Sequence, residues 1–217
     1  MNKKERIRII IGSIINLAIF AISVYCLTVF IGWLYDQPED NRFIYFTNVS
    51  NLSVGFISLF SGTLLLLSAC KGQMILPKFM AIIKYIGLSM TTLTFFTVLF
   101  LIAPMTSYPG MYSGVKFFTH LIIPVFAMIS YLFFEDKYLF GWKWTLIGLI
   151  PFAIYSTIYA ISVVGTKTWP DIYQINKNGL WCLFMIAFYV ADFAILQGIY
   201  FLKKLLLRKG AVKKLKS

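Results

Sequence analysis

The chain has 217 residues, of which 59% are hydrophobic and only 13% are charged, and its mean hydropathy is +0.80. A soluble domain is about 45–50% apolar and about 25% charged, so this composition excludes a soluble protein and predicts a membrane-embedded one. The formal net charge of +12 would suit nucleic acid, but the basic residues cluster beside hydrophobic segments. That distribution is typical of membrane insertion, so we expect no nucleic-acid partner.

Six hydrophobic segments are each long enough to cross a bilayer as a helix, which takes about 20 residues. We therefore predict an all-α fold with one six-helix transmembrane domain, and we number the segments span 1 to span 6 in chain order. The predicted spans cover residues 9–34, 43–69, 80–104, 116–134, 143–164 and 179–203. Span 1 is not followed by a small-residue cleavage site, so we expect it to be retained.

The basic residues also predict the orientation of the spans. Sixteen of the twenty Lys and Arg residues, including Lys84 and Lys203 near the ends of their predicted spans, fall on one side, in or next to the two tails and two of the loops. Because Lys and Arg are retained in the cytoplasm, both termini are predicted to be cytoplasmic, in a multi-pass protein of the plasma membrane. Glu39, Asp40 and the loop over residues 165–178 are then expected on the outer side.

Polar residues are concentrated where span 2 begins, in the stretch Tyr45–Ser53, YFTNVSNLS. A polar side chain in hydrocarbon costs free energy unless another part of the protein satisfies it, so we expect these residues to face inward. A helical period of 100° places several small or polar residues on one face, which either packs against another helix or lines a cavity. This face comprises Thr47, Asn51, Val54, Ser58 and Ser61 or Gly62.

The only histidine, His120, lies in span 4, four residues before Pro124. Proline has no N–H to bond the carbonyl four residues earlier, so a kink and an unpaired carbonyl are expected beside His120. Such a feature suits a polar pocket, although a lone membrane histidine can also be an interhelical hydrogen-bonding group. Thr47 and His120 are predicted at similar depth near the outer ends of their spans. We therefore interpret Thr47 as a nucleophile and His120 as its base.

Other polar or aromatic groups could complete such a site. Asn51 and Asn48 are candidate oxyanion donors, and Ser50 belongs to the same polar cluster. Trp169 and Tyr173, in the loop after span 5, suit the membrane interface and could also cover the pocket. Asp192, near the middle of span 6, could orient His120 or could join helices by hydrogen bonds to hydroxyl groups.

Three short motifs carry a resemblance to a known family: YFTNVSNL in span 2, THLIIP in span 4 and WPDIY after span 5. The chain resembles the six-span membrane hydrolases related to androgen-induced protein and to androgen-dependent TFPI-regulating protein, and in particular their bacterial relatives. The resemblance implies a threonine hydrolase of the type that cleaves fatty-acid esters of hydroxy fatty acids. It implies Thr47 as nucleophile and His120 as base. The residues after Thr47 differ from the animal pattern, so the resemblance implies the chemistry rather than a particular ester.

The leading hypothesis is thus a lipid ester hydrolase whose partners are membrane lipids or lipid-like esters. One alternative is a small-molecule or proton-coupled transporter with Asp192 and His120 in its path, and another is a lipid-binding protein without turnover. The three scattered cysteines form neither a disulfide framework nor a metal signature, and no cofactor is expected. The sequence leaves the oligomeric state open.

Overall fold

The computed structural model describes residues 1–36, 42–135 and 142–215, and it contains six helices long and apolar enough to span a membrane. The predicted all-α, six-span architecture is confirmed, and the described residues form no strand. The spans are Lys3–Asp36, Phe46–Lys71, Lys78–Met105, Gly114–Phe134, Trp144–Gly165 and Trp181–Leu215. Glu39 and Asp40, which the sequence places in an outer loop, lie outside the described residues.

The predicted span boundaries agree with the helices to within a few residues, except at the two ends of the chain. There the helices continue past the hydrophobic segments, back to Lys3 in span 1 and on to Leu215 in span 6. Hydropathy marks where a helix enters lipid, whereas charged residues such as Lys and Arg are good helix formers and do not end it.

Spans 1 and 2 pack closely because small residues face each other along them. The Ser13 hydroxyl donates to the Gly62 carbonyl at 2.8 Å, and a Cβ on Gly55 would lie only 2.5 Å from the Cβ of Ser23. Ser58 is also completely buried. Of the two interpretations of the small polar face on span 2, close helix packing therefore holds from Gly55 onward.

The centre of the bundle is apolar and joins five of the six spans. Ile19, Val54, Leu88, Ile123 and Leu196 form one buried cluster, contributed by spans 1, 2, 3, 4 and 6 in turn. Span 5 packs against it through Gly148, where an added Cβ would meet Leu196 at 2.8 Å. Large apolar side chains are exposed on the outer surfaces of the spans, as expected for surfaces that contact the hydrocarbon of a bilayer.

Two spans contain a widened, π-helical turn directly before a proline. The turns are Val98–Ile102 in span 3, followed by Pro104, and Phe118–Ile122 in span 4, followed by Pro124. In span 4 the Ile123 N–H bonds the Phe118 carbonyl, and Pro124 has no N–H for the next carbonyl, that of Thr119. The expected unpaired carbonyl is therefore present, one residue earlier in the chain than the sequence predicts.

Lys84 is a correction to the sequence analysis, which counts it among the basic residues on the cytoplasmic side. Its side chain is only 1% exposed, and its ammonium nitrogen lies 3.2 Å from Oε1 of Glu135. The ammonium also donates to Asn16 Oδ1 and, at 2.9 Å, to the Ser58 hydroxyl. Ser130 completes the group by donating to Glu135 at 2.5 Å. A charged and fully hydrogen-bonded cluster thus ties spans 1, 2, 3 and 4 together.

Lys203 of span 6 is likewise buried inside the protein, although the sequence analysis assigns it to the basic tail. Its ammonium donates to the carbonyls of Tyr131, Leu132 and Glu135, where span 4 ends and its last carbonyls need donors. Removing Lys84 and Lys203 from the sixteen residues on the predicted cytoplasmic side leaves fourteen against four. The basis for the predicted orientation is therefore unchanged.

Gly55→Ala is expected to destabilise the bundle, because the new methyl group would overlap Ser23 on span 1. We expect a loss of roughly 1–3 kcal/mol in the free energy of unfolding, measured by SDS titration in mixed micelles. Gly198→Ala is the matched control, since an added Cβ there meets nothing within 4 Å. Equal effects at the two positions would contradict the close packing of spans 1 and 2.

Lys84→Met is expected to cost more, roughly 3–5 kcal/mol, because it leaves the Glu135 carboxylate buried without its cation. The double variant Lys84→Met/Glu135→Gln removes both charges and is expected to recover most of that loss. Lys78→Met, at an exposed lysine of the same span, serves as the control. The same unfolding titration measures all three. If the double variant were no more stable than Lys84→Met, the loss of stability would not come from the unpaired Glu135 carboxylate, and the role given to the ion pair would be wrong.

Candidate functional site

A cavity of about 390 Å³ opens at the end of the bundle where span 2 begins. Both Thr47 and His120 line it, so the structure brings together the two residues that the sequence analysis pairs. Its walls come from spans 1, 2, 3, 4 and 6 and from the loops that precede span 4 and span 6. A cavity of this size is typical of small-molecule sites.

Thr47 is the second residue of span 2, next to the helix N-terminus. The Tyr173 hydroxyl accepts the N–H of Phe46 at 2.9 Å, while the N–H groups of Asn48 and Val49 bond the Tyr45 carbonyl. Within the described residues, neither the N–H nor the hydroxyl of Thr47 has a hydrogen-bond partner. Thr47 therefore presents a hydroxyl and an unpaired N–H at the positive end of a helix dipole.

His120 lies in the π-helical turn of span 4 and is 8% exposed. Its Nδ1 lies 2.8 Å from the carbonyl oxygen of Met111. A carbonyl can only accept, so Nδ1 carries the proton and Nε2 keeps its lone pair. No partner of Nε2 is found among the residues that the structure describes. The imidazole is thus held in the tautomer that a general base requires.

The loop before span 4 fixes the Met111 carbonyl. Ser107 begins a single helical turn, Tyr108–Met111, and its hydroxyl accepts the Gly110 N–H at 3.1 Å. The N–H of Met111 then bonds the Ser107 carbonyl at 3.1 Å. The sequence analysis gives no role to this turn, because a backbone carbonyl belongs to every residue and leaves no mark in a sequence.

Asn51 does not face the cavity, in contrast to its proposed role as an oxyanion donor. Its amide nitrogen donates to the Thr47 carbonyl at 2.6 Å and to the Thr119 carbonyl at 3.0 Å. Both N–H groups are therefore occupied, one of them by the carbonyl that the π turn leaves unpaired. Ser50 is also directed away from the cavity, toward the Thr47 carbonyl and the Thr94 hydroxyl. Asn51 therefore joins spans 2 and 4, and Ser50 joins spans 2 and 3.

Of the remaining pocket residues, Asn48 and Tyr173 line the cavity and Trp169 does not. Trp169 packs edge-on against Tyr159 at a centroid distance of 6.2 Å and borders a separate surface pocket. Burial raises the pKa of Tyr173 above its usual value, so its hydroxyl stays neutral at physiological pH. Of the two amide side chains in the predicted polar cluster, Asn48 lines the cavity and Asn51 does not.

Asp192 is buried away from His120. Its Oδ1 accepts the Ser89 hydroxyl at 2.9 Å, and its side chain is fully buried between spans 3 and 6. The Nδ1 of His120, which a third triad member would hold, is already bonded to Met111. The structure therefore does not bring the carboxylate and the imidazole together, and the Met111 carbonyl takes the orienting position.

Tyrosines attach the loop after span 5 to the start of span 2. Tyr155 donates to the Ile44 carbonyl at 2.6 Å, and Tyr159 donates to Asp171 at 3.2 Å and accepts the Tyr173 N–H at the same distance. Asp171 also accepts backbone N–H groups further along this loop. These bonds place Tyr173 beside Thr47 and hold the loop over one side of the cavity.

A second, smaller pocket of about 60 Å³ adjoins the cavity on the side of span 5. Six residues line both spaces, and the rest of its lining is mainly apolar and aromatic. The shared residues are Thr47, Thr97, Val98, Ile102, Tyr173 and Phe188. Thr47 therefore stands where a polar wall meets an apolar recess.

Comparison of the chain with protein-family models, with curated proteins and with solved structures finds no match.

Proposed function

We propose that this protein is an integral-membrane lipid ester hydrolase in which Thr47 is the nucleophile and His120 the general base. One observation carries the proposal. Thr47 and His120 line the same cavity, and the Met111 carbonyl holds the Nδ1 proton of His120 so that Nε2 remains a proton acceptor. A weakly nucleophilic hydroxyl, an oriented neutral imidazole and an enclosed space are what acyl transfer requires.

In the proposed acylation step, the Thr47 hydroxyl oxygen attacks the ester carbonyl while Nε2 of His120 accepts its proton. Collapse of the tetrahedral intermediate breaks the ester C–O bond, and the imidazolium returns the proton to the departing alcohol. Water then attacks the acyl-threonine with His120 again as base, which releases the fatty acid and restores the Thr47 hydroxyl.

The negative charge on the intermediate needs donors, and the start of span 2 supplies them. The Thr47 N–H has no acceptor among the described residues and lies at the N-terminus of a 26-residue helix, whose dipole favours an anion. Asn48 lines the same cavity. This arrangement replaces Asn51, whose two N–H groups are already engaged.

The lining of the cavity favours a lipid substrate. Apolar residues of spans 3 and 6 form one wall, and the smaller apolar recess continues from it beside Thr47. The resemblance through YFTNVSNL, THLIIP and WPDIY supports fatty-acid esters, of the hydroxy-fatty-acid ester type. With the termini in the cytoplasm of a plasma membrane, the ester would enter from the outer leaflet.

The alternative of a proton-coupled transporter requires a path through His120 and Asp192. Neither the 390 Å³ cavity nor the recess beside it has Asp192 in its lining, and Asp192 bonds Ser89 in the packed region between spans 3 and 6. This separation favours the hydrolase proposal over the transporter.

The proposal is tested by labelling the purified protein with a lipophilic fluorophosphonate and mapping the adduct by mass spectrometry. We expect the adduct on Thr47, no adduct at that position in Thr47→Ala, and labelling at least about 100-fold slower in His120→Gln. Thr47→Ser should keep the adduct, because serine also provides a hydroxyl nucleophile.

Thr97→Val is the matched control, since Thr97 is a second threonine of the same cavity lining and has no role in the mechanism. It should be labelled at the wild-type rate. Labelling that persists in Thr47→Ala, or that is equally fast in His120→Gln, would overturn the assignment of nucleophile and base.

A further inference from the structure

The cavity has two chemically different walls. Span 2 contributes Thr47 and Asn48 to one side, and span 4 contributes Lys116, Thr119 and His120. These residues make that side polar, with hydroxyl, amide, imidazole and ammonium groups. A ligand that satisfies this wall needs a polar head.

The opposite wall is apolar and reaches the lipid-facing surface. Span 3 contributes Leu101, Ile102 and Met105, and span 6 contributes Phe184 and Phe188. Met105 is 71% exposed, so the cavity borders the lipid-facing side of the bundle at this point. A hydrocarbon chain could therefore lie along this wall and extend toward the bilayer without leaving an apolar environment.

Lys116 gives the polar wall its charge. It is the single charged side chain among the described residues of the lining, and no ion pair is found between it and another described residue. It precedes His120 by four residues, about one helical turn. Lys116 is exposed, so its ammonium group is accessible to an anionic head group that enters the cavity from outside.

We infer that the cavity binds a single-chain amphiphile with an anionic head group, either carboxylate or phosphate, and that Lys116 binds this head group. The chain of the amphiphile lies against spans 3 and 6. As a determinant of ester specificity this inference rests on the proposed function, because Lys116 would select esters that carry an acidic group. The binding itself does not require turnover.

The test uses three 16-carbon probes that carry a diazirine in the chain and no ester: the fatty acid, the alkyl phosphate and the alcohol. Each is titrated onto the full-length protein in phosphatidylcholine nanodiscs, irradiated, and the labelled peptides are identified by mass spectrometry. We expect the anionic probes to label the 101–105 and 184–188 peptides at about tenfold lower concentration than the alcohol. The stronger of the two anionic probes identifies the head group as carboxylate or phosphate.

Lys116→Gln should weaken labelling of these peptides by the anionic probes about tenfold and leave the alcohol unchanged, whereas Lys116→Arg should retain the preference. Lys167→Gln is the control, because Lys167 is an exposed lysine that lines a different pocket. Equal labelling by all three probes, or anion labelling unaffected by Lys116→Gln, would overturn the inference. Because none of the probes has an ester bond, this outcome is independent of whether Thr47 and His120 form a hydrolase.

Discussion

A membrane bundle must satisfy its polar groups internally, and this constraint explains the arrangement around His120. The π turn before Pro124 leaves the Thr119 carbonyl without an N–H, and Asn51 of span 2 supplies the donor at 3.0 Å. That bond joins spans 2 and 4 beside the two residues that line the cavity. The same constraint gives Nδ1 of His120 a single partner, the Met111 carbonyl, and so determines which ring nitrogen can act as a base.

The charged cluster and the cavity lie in different parts of the bundle. Lys84, Glu135 and Asn16 bond one another and hold spans 1, 3 and 4 together. None of these three residues lines any of the pockets described above. At the other end, the hydroxyl and the N–H of Thr47 have no hydrogen-bond partner among the residues that the structure describes. Unsatisfied polar groups are costly in an apolar environment, and those of Thr47 border a cavity in which a ligand can satisfy them.

The sequence is sufficient to predict the six spans and the location of Thr47 and His120 at the same end of the bundle, because hydropathy and an isolated polar cluster are local signals. It does not predict that the π turn in span 4 presents the Thr119 carbonyl to Asn51, so the expected role of Asn51 as an oxyanion donor does not hold. Lys84 was misplaced because it lies only six residues from the start of its helix, at a depth that hydropathy cannot distinguish from a loop. The bond between the Met111 carbonyl and His120 could not be predicted from the sequence, because the fold alone determines where a backbone carbonyl points.

His120 is the only histidine in the chain, so ¹⁵N-histidine labelling gives one imidazole spectrum without assignment. Solid-state NMR of the protein in lipid bilayers at pH 7 therefore tests the central claim most directly. The geometry predicts a neutral ring with its proton on Nδ1, hydrogen-bonded to the Met111 carbonyl, and an unprotonated Nε2. A proton on Nε2, or on both nitrogens, would contradict the assignment of His120 as a base for Thr47.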